Sequence, residues 1–471
     1  MPELLHINNF NKKYKELIIF IILSWIALWF SIDTHINLGQ IKNLSLIALF
    51  HNTRILIAFF TIFISTILIL YIVLKKEIKI FNNTNSTLFL FLFYFILQII
   101  GLKRNSELEF NIENLYLIIL AIGSLNIFLI VNFLKLTKIL KYILYLTIIM
   151  LAVFLIILVF KKINSSTLFP QSGALDLYSF IHPEEKFLNR EYPRITGISR
   201  MLAIVNLALI IFLEFNNKLK SILLLILAGF FSSIIWGMQS RGTIICFFFS
   251  LLVICFYLKN INFKKALSLI FILFFLPAII FEYSRPIVFK KNYESIINLK
   301  LENEKKQNDN KNIEDQKEII KKDQIRILET KHSSGRIDLW KGLIDKYDKN
   351  KLFGYGPQAD RILLGKDYDR TYAYSNNVSN GLIYAFACGG YLAALIIIII
   401  YYRIFTYISY IFIKKKFLKK MPSVVKISII LLIFLSIRSL VENSFALFSV
   451  DFLLFLISIT IIENFINKNK I

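Results

Sequence analysis

Residues 381–411, GLIYAFACGGYLAALIIIIIYYRIFTYISYI, decide the fold class. Arg403 is the single charged residue in this run. A helix needs about 20 apolar residues to cross ~30 Å of hydrocarbon, and no water-soluble core calls for such a stretch. The run exceeds one crossing, so it is expected to tilt or to extend past the membrane surface.

Working outward, the same composition recurs along the chain. Apolar runs lie near 17–33, 54–74, 87–103, 115–134, 140–160, 198–215, 219–238, 242–258, 265–282, 381–411, 424–440 and 448–466. Of the 471 residues, 56% are hydrophobic and 45 are Phe, which a soluble domain of this length would not carry. The reading is all-α: a polytopic membrane helical bundle of about 12 transmembrane helices. The runs at 219–238 and 242–258 are joined by a very short turn and should form an antiparallel pair. Cys246, Cys255 and Cys388 all sit in apolar runs without a CxxC spacing and read as small buried hydrophobes.

The net charge of +24 would suggest nucleic acid in a soluble chain, but its distribution points elsewhere. With the N-terminus inside, Lys12, Lys13 and Lys15, then Lys75, Lys76 and Lys79, then Lys135, Lys138 and Lys141 fall on the inner side. Lys218 and Lys220, Lys259, Lys264 and Lys265, the 414–426 cluster, and Lys468 and Lys470 follow the same alternation. This is the positive-inside pattern. Met1 to Lys15 reads as a retained cytoplasmic tail, since no cleavage site precedes the first apolar run.

The chain then divides into 1–282, with nine spans and an outer loop at 161–197; 283–380, a large extracytoplasmic loop; and 381–471, with three spans and a cytoplasmic C-terminus. Within the large loop, 300–331 is a charged insertion with nine Lys/Arg against eight Asp/Glu. The rest of that loop is expected to be partly helical. Ser334 is placed to cap a helix starting near Gly335, with Ile337, Trp340, Leu343 and Ile344 as its apolar stripe. Gly354, Gly356 and Pro357 are expected to end that helix with a sharp turn.

Arginine is distributed differently from lysine. Of thirteen arginines, only Arg403 falls toward the inner side. A planar fork of donors grips phosphate in two places, which lysine cannot do, so an outer surface of arginines suggests an anionic ligand. Arg190, Arg194 and Arg200 lie in NREYPRITGISR at the entry to a span, where a helix N-terminus adds its own positive end. Arg241 sits in Gln239-Ser240-Arg241-Gly242, a turn with no spare residues. Arg336 follows Ser334-Gly335 at the expected helix start. Arg438 and Glu442 are four apart and can pair on one helix face, while Asp451, inside an apolar span, needs a partner or a wet cavity. Tyr355, Tyr374, Ser379 and Asn380 offer the hydroxyl, amide and aromatic groups that suit a sugar, and Ser379 or Asn380 could equally cap the next span. The five histidines form no metal motif, and no phosphate loop or dinucleotide fingerprint occurs, so no cofactor is expected.

These motifs resemble the O-antigen polymerase and O-antigen ligase superfamily. The matching residues are SRG at Ser240–Gly242, SGRxxLW at Ser334–Trp340, LFGYGP at Leu352–Pro357 and SNGLIYAFACGG at Ser379–Gly390. RSLVENSFALFSVDFLLF, starting at Arg438, looks like the polymerase-type C-terminal region. The resemblance implies a metal- and nucleotide-independent glycosyltransferase of the inner membrane with its active site facing the periplasm. Its substrate would be an undecaprenyl-diphosphate-linked oligosaccharide, for O-antigen (lipopolysaccharide) or capsule. By that resemblance Arg194, Arg241 and Arg336 are catalytic; the base is left unassigned, with Glu442, Asp338 and His332 as the candidates. Arg190, Arg200 and Arg438 then assist at the diphosphate. Tyr355, Tyr374, Ser379 and Asn380 meet the sugar, and no metal is involved. Membrane lipids and a chain-length regulator are the implied partners, with no nucleic acid. Ligases of the superfamily usually carry a histidine followed by Asn where this chain has Ser379-Asn380, so polymerisation is favoured over ligation. A polysaccharide flippase or transporter is the alternative of another class; it should show internal repeats and midplane charges, which this sequence does not.

A reporter active only outside the cytoplasm should be active when fused after residue 330 and silent after Lys138 or Lys416. The opposite pattern would refute the orientation.

Overall fold

The structure is a computed structural model. It describes residues 59–71, 86–104, 122–130, 195–213, 218–237, 240–259, 261–280, 336–346, 352–357, 359–360, 378–414, 421–442, 445–446 and 449–470, with Leu17, Leu74 and Leu363 singly. In chain order the helices are α1 (Phe59–Tyr71), α2 (Ser86–Arg104), α3 (122–130), α4 (Ile195–Phe212), α5 (Lys218–Gly237) and α6 (Arg241–Leu258). They continue with α7 (Phe263–Ile280), α8 (Arg336–Lys346), α9 (Gly381–Ile413), α10 (Ser423–Ser439) and α11 (Val450–Lys470). No strand occurs among the described residues.

The all-helical expectation therefore holds. Four helical stretches are long and apolar enough to cross a membrane: Arg241–Leu258, Phe263–Ile280, Gly381–Ile413 and Val450–Asn467. Phe89–Gly101, Ser199–Phe212 and Ser221–Trp236 are shorter apolar helices. The expected span at 140–160, and that at 17–33 apart from Leu17, lie outside the described residues. The expected helix in the long 283–380 segment is α8. Its buried side includes Leu343, whereas Ile344, expected on the same stripe, is exposed.

The helices fall into two compact units. One draws its described helices from Leu44–Leu146 and Ser333–Ile471, the other from Thr147–His332. The first unit is discontinuous along the chain, taking in α1–α3 and α8–α11.

In the first unit α10 and α11 form the centre, with α9 laid against α2. Phe91 meets Phe452 edge-on at 5.5 Å, and Phe445 meets Phe455 at 5.2 Å. Such pairings fill the core without polar groups. Outward faces stay apolar: Phe60, Phe63 and Ile67 on α1, and Leu395, Ile398 and Phe405 on α9, are all largely exposed. That is the arrangement of a protein solvated by hydrocarbon, where burying apolar surface gains little and polar contacts select the packing.

Two polar ties run through this unit. At the α10–α11 turn, Arg438 Nη1 donates to Asp451 Oδ2 at 2.7 Å, with both side chains almost fully buried. The sequence left Asp451 seeking a partner, and the structure supplies Arg438. Asp451 stands in the first turn of α11, so the pair closes the hairpin. Twelve residues further along α11, roughly 18 Å at 1.5 Å per residue, Glu463 accepts from Tyr407 at 2.8 Å and from the Thr87 hydroxyl. Arg403 Nη1 donates to the same Thr87 hydroxyl at 3.3 Å. Arg403, the odd inner arginine of the sequence, thus joins α9 to α2 beside a buried carboxylate.

In the second unit α4 lies against α5 and α6. Asn206, fully buried on α4, donates to Ala228 O at 3.0 Å and Ser232 Oγ at 2.9 Å on α5. Helix α6 ends in a π-helical turn, Ile254–Leu258, and α7 contains another, Phe271–Phe275. The outer face of α5, with Ile222, Leu223, Ile226 and Phe230, is exposed and apolar.

Asp451→Ala leaves the Arg438 guanidinium buried without its carboxylate and is expected to cost about 3–5 kcal/mol. It should appear as a clearly lower melting temperature of the detergent-extracted protein. An unchanged melting temperature would remove this pair from the fold's supports.

Candidate active site

The apolar run that decided the fold is not one continuous helix. At Gly390 the backbone takes φ 71° and ψ −167°, and α9 breaks there. A break exposes main-chain groups that hydrocarbon cannot satisfy, so protein must supply partners. The partners come from LFGYGP. The Tyr355 N–H donates to Ala387 O at 3.0 Å and the Gly356 N–H to Cys388 O at 2.8 Å. These carbonyls lie six and seven residues beyond the start of α9, roughly 10 Å along its axis.

The close approach explains the glycines. A Cβ at Gly390 would overlap the Leu352 carbonyl, and one at Gly354 (φ 70°) would come within 2.5 Å of the Cys388 carbonyl carbon. On α2, a Cβ at Gly101 would sit 2.7 Å from Gly356 N. Gly354, Gly356 and Pro357, expected to end the preceding helix with a sharp turn, do form a turn, and it is wedged between α2 and the broken α9; residues 347–351, between it and α8, lie outside the described residues. SNGLIYAFACGG and LFGYGP are thus two sides of one contact.

A second knot forms where α9 begins. Asn380 caps it, its Oδ1 accepting from the Leu382 N–H at 2.9 Å and the Ile383 N–H at 3.1 Å. Its Nδ2 donates to Leu440 O at 3.1 Å, beyond the end of α10. Ser379 is held at φ 46°, the one non-glycine residue with positive φ among those described. Val378 is clamped from both sides: its N–H donates to Asp360 Oδ2 at 3.1 Å, and its carbonyl accepts from Trp340 Nε1 at 2.5 Å.

The expected site residues divide between the two units. In the first, Arg336 is the first residue of α8, and Asp338 lies in the same turn. Tyr355 is buried in the glycine turn, Ser379 is half-buried, and Asn380 spends its amide on capping and on Leu440. Glu442 follows α10, half-buried, with its N–H donating to Arg438 O at 2.8 Å. Arg438 is committed to Asp451.

In the second unit, Arg241 is the first residue of α6, exposed, with Ser240 at the N-cap. Ser240 Oγ donates to Thr243 Oγ1 at 3.0 Å, and Thr243 Oγ1 lies 3.2 Å from Ser199 Oγ. This hydroxyl bridge brings the first turns of α4 and α6 together, with half-buried Arg200 next to Ser199 and Arg241 two residues before Thr243. Arg190, Arg194, Tyr374 and His332 lie outside the described residues.

Sequence reasoning missed Asp360, fully buried, and the role of Trp340. An acid three residues after a glycine–proline turn was the available signal for Asp360. Nothing in the sequence of α2 marked Gly101.

A broken, apolar helix packed on a glycine turn, among described residues that are helical and include membrane-length helices, defines a polytopic helical membrane protein. Residues 223–398 match the model of a family described as O-Antigen ligase (Wzy_C), which supports placement in the O-antigen polymerase and ligase superfamily. The matched stretch contains SRG, SGRxxLW, LFGYGP and the start and break of α9. No curated protein and no solved structure matches the chain.

Gly390→Ala and Gly354→Ala are expected to unseat the glycine turn, seen as strongly reduced folded protein in membranes. Gly229→Ala and Gly342→Ala have nothing within 4 Å of the added Cβ and should be tolerated, with helix propensity gaining about 0.5–1 kcal/mol. Equal behaviour of all four variants would contradict the docked turn.

Proposed function

We propose that the protein polymerises undecaprenyl-diphosphate-linked oligosaccharide repeat units on the periplasmic face of the inner membrane. The observation that carries this is the family match over residues 223–398, which covers Arg241, Arg336 and the glycine turn. Membrane-length helices and the inner lysines support the location.

In this reading the anomeric carbon of the growing chain is bonded to the carrier diphosphate. A hydroxyl oxygen of the incoming repeat unit attacks that carbon. The bond to the diphosphate oxygen breaks, and the electron pair leaves with the diphosphate. The hydroxyl proton passes to a nearby base. Charge accumulates on the departing diphosphate, so fixed cations there stabilise the transition state more than the ground state. Arg194, Arg241 and Arg336 take that role, with Arg190 and Arg200 supporting it. Arg241 and Arg336 each stand at a helix start, where the helix dipole adds positive potential. Tyr355, Tyr374 and Ser379 are assigned to sugar contacts. Arg438 and Asn380 are reassigned to holding the fold, since the structure commits both to other partners.

The second reading is transfer of the finished glycan to an acceptor, in keeping with a matched family described as O-Antigen ligase. Polymerisation is preferred because no histidine lies at Ser379-Asn380. A deletion strain separates the two: a missing polymerase leaves single repeat units on the surface lipid, whereas a missing ligase leaves none. Arg241→Ala and Arg336→Ala should each lower long-chain synthesis by about 10²–10³ at equal membrane abundance, with Arg→Lys restoring it poorly. Normal chains from both alanine variants would defeat the mechanism.

A further inference from the structure

Val378 is fully buried, and both of its main-chain polar groups are taken by side chains of other segments. The indole donor comes from Trp340, one helical turn beyond Arg336 on α8. The carboxylate comes from Asp360, which follows the glycine turn docked on α9. Two residues on, Asn380 caps α9 and ties that junction to Leu440 after α10. Three segments outside α9, carrying Trp340, Asp360 and Leu440, are thereby fixed to one short stretch of backbone, 378–380.

We propose that Trp340 and Asp360 are positioning residues: through Val378 they fix the first turn of α8, and with it Arg336, against the entry of α9. This rests on the polymerisation reading, in which Arg336 meets the diphosphate.

The physical need is specific. Helix α8 has 11 residues, too few to be stable alone, so its placement depends on tertiary ties. Arginine catalysis depends on geometry, and a displacement of ~1 Å can cost about 10²-fold in rate. A fully buried carboxylate is costly unless hydrogen-bonded, and Asp360 gives one oxygen to a main-chain N–H. Ser379 sits at φ 46°, which a residue with a side chain keeps only where its surroundings over-determine it. Neither Trp340 nor Asp360 is asked to touch substrate.

The test uses the full-length protein in the deletion strain, scoring long-chain glycan per unit of membrane protein and melting temperature in detergent. Trp340→Phe keeps the ring but drops the donor, and Asp360→Ala drops the acceptor; each should reduce chain synthesis about tenfold or more. Asp360→Asn keeps an oxygen able to accept the Val378 N–H and should stay within about threefold of wild type. The decisive arm is a double variant. If Trp340 acts by placing Arg336, Trp340→Phe should cost far less in an Arg336→Lys background than alone. Full activity of both Trp340→Phe and Asp360→Ala would overturn the inference. So would an Asp360→Asn variant as inactive as Asp360→Ala, or a Trp340→Phe effect undiminished beside Arg336→Lys. A deletion strain that still makes long chains refutes instead the polymerisation reading on which the inference rests, before any variant is scored.

Discussion

Hydrocarbon offers no hydrogen bonds, so a helix interrupted inside it must have its exposed carbonyls met by protein. Two main-chain bonds, from Tyr355 and Gly356 to Ala387 and Cys388, meet that demand at the break in α9. The rest of the first unit follows from them. The turn can reach those carbonyls because Gly354 and Gly390 carry no Cβ, and because Gly101 leaves room on α2. Once the turn is seated, Asp360 is delivered to Val378, and the start of α9 is set.

Polar contacts, few and buried, choose among packings that apolar faces alone would leave nearly equivalent. Arg438 with Asp451, Glu463 with Tyr407 and Thr87, and Asn206 with Ser232 each join different helices. Individually such bonds contribute modestly in a membrane, about 0.6 kcal/mol on average in one measured case. Their value here is that each has few alternative partners, so a wrong register leaves a charge or amide unsatisfied in an apolar interior. Aromatic pairs such as Phe91 with Phe452 then fill the space those contacts define.

The division of labour among arginines is sharper in three dimensions than along the chain. Arg438 belongs to the core through its carboxylate partner, and Arg403 joins α9 to α2 beside Glu463. Arg241 and Arg336 instead open helices, and the family match spans both.

The sequence by itself determined the class: apolar runs of bilayer length and lysines in alternating loops are local properties, and each can be read without knowing what packs where. It also marked Arg241, Arg336 and LFGYGP, since arginine and glycine–proline clusters stand out against an apolar background. What only the tertiary structure decided was partnership. Asp451, thirteen residues along the chain from Arg438, pairs with it because the hairpin returns that residue to it. Asn380 read as a sugar contact or a cap, and its amide proved to hold a helix start and the end of α10. Trp340 and Gly101 gave no local signal of their roles, and Asp360 only its place after a glycine–proline turn, since each acts on backbone distant in sequence. A break at Gly390 looks from the sequence like a glycine pair in a long helix, and its meaning lies in the loop that fills it.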